Sequence, residues 1–474
     1  MNTNAIANKT KAIVGACITF ICLLFTQFLL PVNLAGNVVY LYYIELFIIA
    51  LFTAAFIFML VKKSKLNLSK KEIAIMFLFV AWFAVLTVYR FFVTGNITGG
   101  FIVFRVLTFP IILMLIFKQY QITKQSVFWG LFAFITYINI YQIISVIFIS
   151  KSFRLATALA NINIYICFAL AVLPLLLYFV SKYKCENKAI QSAVRIAAVF
   201  NIVCVVLFSL YSGSRIAVLL CPVIGVISYF FINKFTKKSI LTFLASVVAM
   251  VVLISTMFVA NIYDAKYNFF RVVDPFLSIF HFEFDFGSDD TNSDDPTHEH
   301  TKPEQNKPGQ SKPGQNKPGQ SKPEKDEPEI ITPEDMELAQ TSVADSNGMR
   351  GALWEKSIYY IKQNPIFGRH SIDIDCQMTF VGAEEPVTIV GSPHNFILEM
   401  WLALGLPGML IYFAIILLSV AKILFAKISV GKKVNFMLIM LSIFGFSFFQ
   451  PLVTCWFAIS MTLWISMYFF TSDI

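Results

Sequence analysis

Long runs of apolar residues, separated by short polar stretches, dominate the pattern along this chain of 474 residues. Each run is about 17 to 25 residues long and carries few charges, which is the length that an α-helix needs to cross a bilayer. The pattern predicts ten membrane-spanning helices, at residues 12–30, 38–61, 73–93, 101–117, 127–149, 162–180, 194–211, 215–233, 239–260 and 396–421.

The last apolar stretch, residues 434–470, is too long for a single crossing. Gln450 and Pro451 lie near its middle, and proline interrupts a helix, so two spans joined by a tight turn are expected. The predicted fold class is an all-α polytopic membrane protein with about 12 transmembrane helices. Its predicted parts are residues 1–260 with helices 1–9, a large external loop at 261–395, and residues 396–474 with helices 10–12.

Charge is divided unevenly along the chain. The formal net charge is +9, but residues 261–395 alone carry −11, which leaves +20 on the remainder. The Lys and Arg residues of the remainder stand in short clusters between apolar runs, which argues against a basic surface that binds nucleic acid. Of these 25 basic residues, 20 fall in one alternate set of loops. The positive-inside rule then predicts both termini in the cytoplasm and the loop at 261–395 outside.

The external loop has a polar, repetitive centre. Residues 285–333 are acidic and rich in proline, and Lys-Pro-Gly-Gln recurs there at a five-residue period. Because so few apolar residues cannot offset the entropy lost on ordering, a disordered tether is expected. The aspartates of the tether lack the spacing of a calcium-binding loop, so no metal site is expected.

Beyond the tether, apolar residues recur at helical spacing. The pattern of Leu353, Trp354, Ile358 and Ile361 predicts a helix at residues 347–363. This helix either lies over the external mouth of the bundle or packs only on its own loop.

Three ionisable residues lie within predicted spans on the external side, where basic residues are scarce: Glu45, Arg90 and Arg105. Ionisable groups at that depth are costly and usually face a partner or a watery cavity. Two interpretations stay open, namely a Glu45–arginine pair that orders the bundle and a cavity for a charged substrate.

Two predicted helix starts on the external side combine groups that suit chemistry. In Ser-Gly-Ser-Arg215, capping serines would leave free backbone N–H groups, a helix dipole and a guanidinium in one place, which favours an anion such as phosphate. In the second, the pattern predicts Ser392 as the cap and Pro393 at the first helical position. His394 and Asn395 then lie in the first turn, where the dipole favours a neutral His394 that can accept a proton. Each motif alone is also common at purely structural helix ends.

In their order along the chain, these motifs resemble the O-antigen ligase and polymerase superfamily. The resemblance depends on the spans, the large external loop and a series of short motifs: Arg154 followed by Asn161-Ile-Asn163, Ser212-Gly-Ser-Arg215, Arg350 and Trp354 followed by Asn364-Pro-Ile-Phe-Gly368, and His394-Asn-Phe-Ile-Leu398 with Gly405 and Gly408. The sequence departs from the pattern at Ala403, where an acidic residue is frequent, and at Arg369-His370, where a second small residue often follows the glycine.

The resemblance implies a metal-independent glycosyltransferase without a cofactor, acting on polyprenyl-diphosphate-linked glycans at the outer face of the membrane. It implies Arg215 as the main ligand of the diphosphate and His394 as the base or hydroxyl-orienting group, with His370 as the competing histidine. The further candidate substrate-binding residues are Arg154, Arg350, Asn395, Arg105, Arg90 and Arg369.

The Lys-Pro-Gly-Gln repeats resemble spacers in wall-traversing segments of Gram-positive surface proteins, and such cells have no lipopolysaccharide core to receive O-antigen. We therefore expect a polymerase that joins lipid-linked repeat units, donor and acceptor, into a capsular or other exported polysaccharide at the cytoplasmic membrane. A flippase and a chain-length regulator are candidate partners. Two alternatives stay open: a ligase that transfers glycan to another acceptor, and a transporter of lipid-linked oligosaccharides. Against the transporter, the spans show no paired Gly or Pro breaks at matching positions of two halves.

Overall fold

The fold is described from a computed structural model. It covers residues 12–21, 70–94, 122–152, 162–270, 342–343, 346–369, 374–380, 387–448 and 462–466, with a few single residues between them. Several predictions lie outside these described residues: the span at 38–61, most of the span at 101–117, the tether at 285–333 and the turn at Gln450-Pro451.

Helices make up most of the described chain. An apolar helix, Ala12–Ile21, comes first. The following helices are α1 (Lys70–Thr94), α2 (Lys124–Ile144, continued by a π-helical segment, Ser145–Ser150), α3 (Ile162–Ser181), α4 (Lys188–Tyr211), α5 (Arg215–Asn233), α6 (Lys237–Val259), α7 (Ser346–Gln363), α8 (Phe396–Phe425) and α9 (Val430–Ser447).

Seven helices of the described part are long and apolar enough to cross a membrane, namely α2 with its π-helical segment, α3, α4, α5, α6, α8 and α9. Their bounds agree closely with seven of the predicted spans, and α5 begins and ends at the predicted residues 215 and 233. A polytopic helical membrane protein is thereby confirmed for this part of the chain. The total of twelve spans stays a prediction.

Helix α3 lies at the centre of the described bundle. It packs against α4, α5 and α9, and most of its residues are buried. In lipid there is no hydrophobic driving force between helices, so van der Waals packing and interhelical hydrogen bonds hold the bundle together.

A chain of buried hydrogen bonds supplies such contacts between α2, α3 and α4. The Tyr165 hydroxyl donates to Asn139 Oδ1 at 2.5 Å, and Asn139 Nδ2 donates to Asn201 Oδ1 at 2.8 Å. Asn201 Nδ2 in turn donates to Thr136 Oγ1 at 2.8 Å. Each donor in this chain has an acceptor, so the polar groups stabilise the bundle instead of weakening it.

A small β-sheet lies between α6 and α8, within a described structure that is otherwise mostly helical, as the all-α prediction requires. Strand β1 (Ser342–Val343) pairs in parallel with β2 (Ile374–Phe380), and β2 pairs antiparallel with β3 (Val387–Gly391). At the start of β2, Ile374 and Cys376 are buried while Asp375 is exposed. This alternation is the normal pattern of a strand with one covered face, but it extends over too few residues to stand out in the sequence.

Helix α7 packs against both β2 and α8, so it connects the sheet to a membrane-spanning helix. Leu353 and Ile361 are buried in this contact, whereas Ile358, expected on the same face, is 43% exposed. The sheet and α7 form a small second core with Leu402 of α8.

Candidate active site

The start of α8 positions His394. The helix begins at Phe396, and the cap is Asn395, whose Oδ1 accepts from the N–H groups of Ile397 at 3.1 Å and Leu398 at 3.3 Å. This corrects the prediction that Ser392 caps the helix and that His394 and Asn395 lie in its first turn. The side-chain Oδ1 of Asn395 satisfies two N–H groups of the first turn, so the helix begins one residue after Asn395.

His394 therefore lies just outside the helix, in a backbone conformation that is uncommon for residues other than glycine. Its φ is +52°, in the left-handed region that residues with a Cβ seldom adopt. The preceding carbonyl is held from outside, because Trp354 Nε1 of α7 donates to Pro393 O at 2.6 Å. Backbone strain of this kind is found where surrounding structure imposes it, often at functional sites.

The surroundings of His394 favour its neutral form. The side chain is partly buried, and its Nδ1 is buried without a hydrogen-bond partner among the described residues. Burial lowers the pKa of His394 below the ordinary value of 6.5, and the nearby positive charge of Arg350 on α7 lowers it further. A neutral imidazole at this position can accept a proton. The sequence pattern predicted the neutral form from the helix dipole, whereas the causes found in the structure are burial and the charge of Arg350.

A loop between α7 and β2 inserts into a break in α8. Helix α8 is interrupted at Gly405, where φ is 65° and ψ is 174°. Gly368 of the loop has a φ of +66°, and a Cβ added to it would lie 2.5 Å from Leu402 O. The two glycines let the two backbones touch, which gives Gly368 of the Asn-Pro-Ile-Phe-Gly motif and Gly405 a shared structural role.

Backbone hydrogen bonds freed by the break are satisfied by this loop. Leu406 N donates to Pro365 O at 3.1 Å, and Arg369 N donates to Leu402 O at 2.7 Å. Because buried backbone groups in a membrane protein must find partners, the loop and the broken helix stabilise each other.

The same loop positions Arg369. Its guanidinium lies 4.1 Å from the centre of the Tyr360 ring, and Nη2 is 3.5 Å from Asp375 Oδ2. Nη1 is buried and has no hydrogen-bond partner among the described residues. Arg90 of α1 is near enough for the two positive charges to interact. Arg369 and Arg90 thus lie together, as two guanidinium groups at one end of α1.

Arg215 begins α5 and is exposed. The cap residue is Ser214, but its side chain makes no capping hydrogen bond within the described residues. Ser212 is buried, and its Oγ accepts from Ser214 N at 3.3 Å, while Gly213 turns the chain with a φ of +72°. The first-turn N–H groups of α5 therefore stay available beside the guanidinium, which suits an anion.

Arg215 and His394 lie at the same end of the bundle. The ring of Phe396, the first residue of α8, lies 5.4 Å from that of Phe444, near the end of α9. On the next residue of α9, a Cβ added to Gly445 would be 3.3 Å from Leu220 of α5. The starts of α5 and α8 therefore flank the end of α9, and the two groups face the same side of the membrane.

Three candidates from the sequence are not described by the structure: Arg105, Arg154 and His370. Glu45 also lies outside the described residues. Their roles stay predictions.

One ionisable residue near this site was missed. Glu399, in the first turn of α8, is completely buried. Its position in an apolar span was the available signal, because carboxylates within such helices are rare and commonly functional. Ala403, where an acidic residue was expected, lies one turn further along α8 and is buried as well.

Residues 196–413 match the family model described as O-antigen ligase. This match covers a little under half of the chain. The resemblance to the O-antigen ligase and polymerase superfamily is thereby confirmed. The matched residues include Arg215, Arg350, Arg369 and His394, whereas Arg90, Arg105 and Arg154 precede them. The family indicates a membrane protein of the ligase or polymerase type of glycan transfer. No curated protein matches the sequence.

Proposed function

We propose that the protein polymerises polyprenyl-diphosphate-linked oligosaccharide repeat units into a surface polysaccharide at the outer face of the cytoplasmic membrane. The observation that carries this proposal is that His394, whose surroundings favour the neutral imidazole, lies at the same end of the bundle as Arg215, which begins a helix without a side-chain cap bond among the described residues. The first group suits proton acceptance and the second suits a diphosphate.

The reaction assigns a distinct role to each group. A hydroxyl of the acceptor sugar attacks the anomeric carbon of the donor, a new glycosidic bond forms, and the bond from that carbon to the diphosphate oxygen breaks. His394 takes the proton of the attacking hydroxyl. Arg215 and the N–H groups at the start of α5 stabilise the negative charge on the departing polyprenyl diphosphate.

Arg350 has a supporting role in this scheme. Its positive charge keeps His394 neutral until the reaction and adds to the positive potential for the diphosphate. Asn395 has a structural role at the cap of α8, which holds the His394 backbone in place. Because its Oδ1 is used by two N–H groups, substrate contact by Asn395 is assigned to its Nδ2.

The test is chain growth by the purified protein in detergent, given lipid-linked repeat units and no other protein. His394→Ala is expected to lower turnover by about 10² to 10⁴, the usual range for loss of a general base, while donor binding persists. Arg215→Ala is expected to weaken donor binding as well, because it removes a contact to charge present in the ground state. Arg215→Lys should be impaired too, since lysine lacks the planar, two-pronged donor geometry.

Arg195→Ala is a matched control. Arg195 lies near the start of α4, whereas Arg215 follows the end of α4. All variants must elute as the parent does in size-exclusion chromatography. Parental turnover in both His394→Ala and Arg215→Ala would contradict the mechanism. Absence of chain growth in the parent, with lipid-linked units moved across vesicle membranes, would favour the transporter.

A further inference from the structure

An apolar groove runs along α1 beside the loop that enters the break of α8. It has a volume of about 440 Å³ and is lined by Ala84, Val85, Val88, Tyr89 and Phe367. Val85 and Val88 are about half exposed, at 48% and 56%. Since α1 is an apolar helix of a membrane protein, a groove of this composition suits a hydrocarbon chain.

Two arginines lie at the end of this groove. The rings of Tyr89 and Phe367 stack with their centres 4.2 Å apart, and Asn364 Nδ2 donates to the Tyr89 hydroxyl at 3.0 Å. Arg90 follows Tyr89 directly and Arg369 lies two residues after Phe367, so this stacking brings the two guanidinium groups to one place.

The charges at this place call for an anion. Arg369 Nη1 is buried without a hydrogen-bond partner among the described residues, and a buried donor of this kind is costly unless it is satisfied. Asp375 offsets the charge only partly, because its carboxylate is 3.5 Å away and largely exposed. Two positive groups beside an apolar groove match a lipid with an anionic headgroup.

We propose that the groove and the guanidinium groups of Arg369 and Arg90 bind the polyprenyl diphosphate of the acceptor, while Arg215 holds that of the donor. This inference rests on the proposed polymerase function, in which both substrates are lipid-linked. The lipid chain of the acceptor lies along α1 and its diphosphate meets Arg369.

The separation along α7 favours the acceptor over the donor. Arg350 acts on His394 near the start of α7, and Tyr360 contacts Arg369 near its end. Ten residues of α-helix separate these positions by about 15 Å. The donor diphosphate must touch the reacting anomeric carbon, whereas the acceptor diphosphate is separated from its attacking hydroxyl by the sugars of the repeat unit. Trp354, which bonds the carbonyl before His394, is six residues or about 9 Å from Tyr360, so the separation is about 9–15 Å and suits the acceptor diphosphate better than the donor diphosphate.

The experiment compares two acceptors with one donor. The donor is a lipid-linked repeat unit whose acceptor hydroxyl is methylated, so that it cannot accept. One acceptor is a repeat unit joined to polyprenyl diphosphate through a methylene group at the anomeric carbon, so that it cannot donate. The other is the soluble methyl glycoside of the same repeat unit. Transfer to each acceptor is measured with the parent, Arg369→Gln and Val88→Trp.

Both variants should raise the KM for the lipid-linked acceptor at least about tenfold more than the KM for the soluble acceptor. The matched controls are Val248→Trp, on the exposed face of α6, and Lys362→Gln, on the exposed side of α7; both should keep the parental ratio of the two KM values.

Three outcomes would overturn the inference. An equal loss with both acceptors assigns the groove to the donor or to folding. Unchanged KM values in both variants exclude acceptor binding in the groove. If added phosphatidylglycerol vesicles abolish the difference in KM between parent and variants, the groove binds bulk anionic lipid instead. A parent that transfers glycan to neither acceptor overturns the proposed function together with this inference, and so differs from a parent that is active while its variants are unchanged.

Discussion

Replacing Gly405 by alanine tests the junction between the loop and the broken helix α8. At φ 65° and ψ 174°, Gly405 occupies a region of backbone space that is essentially reserved for glycine, and another residue there costs about 1–3 kcal/mol. A Cβ added to Gly405 would also lie only 2.0 Å from Ile366 O, so the loop has to move.

That movement adds a second contribution. The hydrogen bonds from Leu406 N to Pro365 O and from Arg369 N to Leu402 O would lengthen, and each contributes about 0.5–1.5 kcal/mol net. Together, the Gly405→Ala substitution should lower the free energy of unfolding by about 2–6 kcal/mol. Because the loop also positions Arg369, glycan transfer should fall even in the fraction that stays folded.

The measurement is thermal unfolding in detergent, followed by tryptophan fluorescence, with the transfer assay run on the same preparations. Gly351→Ala is the matched control, since no atom lies within 4 Å of a Cβ added there and the residue is inside helix α7. Alanine in a helix interior should stabilise by about 0.5–1 kcal/mol relative to glycine. If Gly405→Ala unfolds at or above the parental temperature, the tight loop-to-helix contact is not as described.

Three further predictions concern the site, the bundle and the topology. Burial and the charge of Arg350 lower the pKa of His394 below 6.5, so activity should fall only when the pH drops through that lowered value. Arg350→Gln should raise this pKa and move the acidic limb of the rate profile to higher pH. A shift of the limb to lower pH would contradict the argument. Asn201→Leu leaves the Asn139 amide without its acceptor and should lower the free energy of unfolding by about 0.6–1.7 kcal/mol in chemical unfolding. The control Val203→Leu should not lower it, and equal stability of the two variants would refute the role of this chain of bonds. A cysteine placed in the Lys-Pro-Gly-Gln repeats should react with an impermeant reagent in intact cells and Cys185 should not, and the reverse labelling would overturn the orientation.

The start of α8 illustrates where sequence reasoning failed. Ser392 and Asn395 are both good caps, and Pro393 favours a start after Ser392. The structure has the later start: Asn395 bonds two N–H groups, while Trp354 holds the Pro393 carbonyl from α7. Local patterns cannot choose between neighbouring caps when the deciding contact comes from a residue 39 positions away in the chain.

The sheet and Glu399 were missed for related reasons. Strands β1 to β3 are short, and their pairing joins residues far apart in the sequence, as Ser342 pairs with Thr379. Glu399 is a single carboxylate whose importance depends on its complete burial, which a linear pattern does not reveal.

By itself, the sequence determined the seven membrane-spanning helices of the described part, because crossing hydrocarbon requires an apolar run of fixed length. Each run can be recognised without knowledge of its neighbours. It also determined which arginines and histidines to consider, because charged groups stand out in such a chain. Only the tertiary structure decided how they are grouped. Arg369 and Arg90 come together through the stacking of Phe367 on Tyr89, and His394 acquires its lowered pKa from burial and from Arg350 on another helix. Proximity and burial arise from packing between distant segments, and these two quantities set the electrostatics of the site.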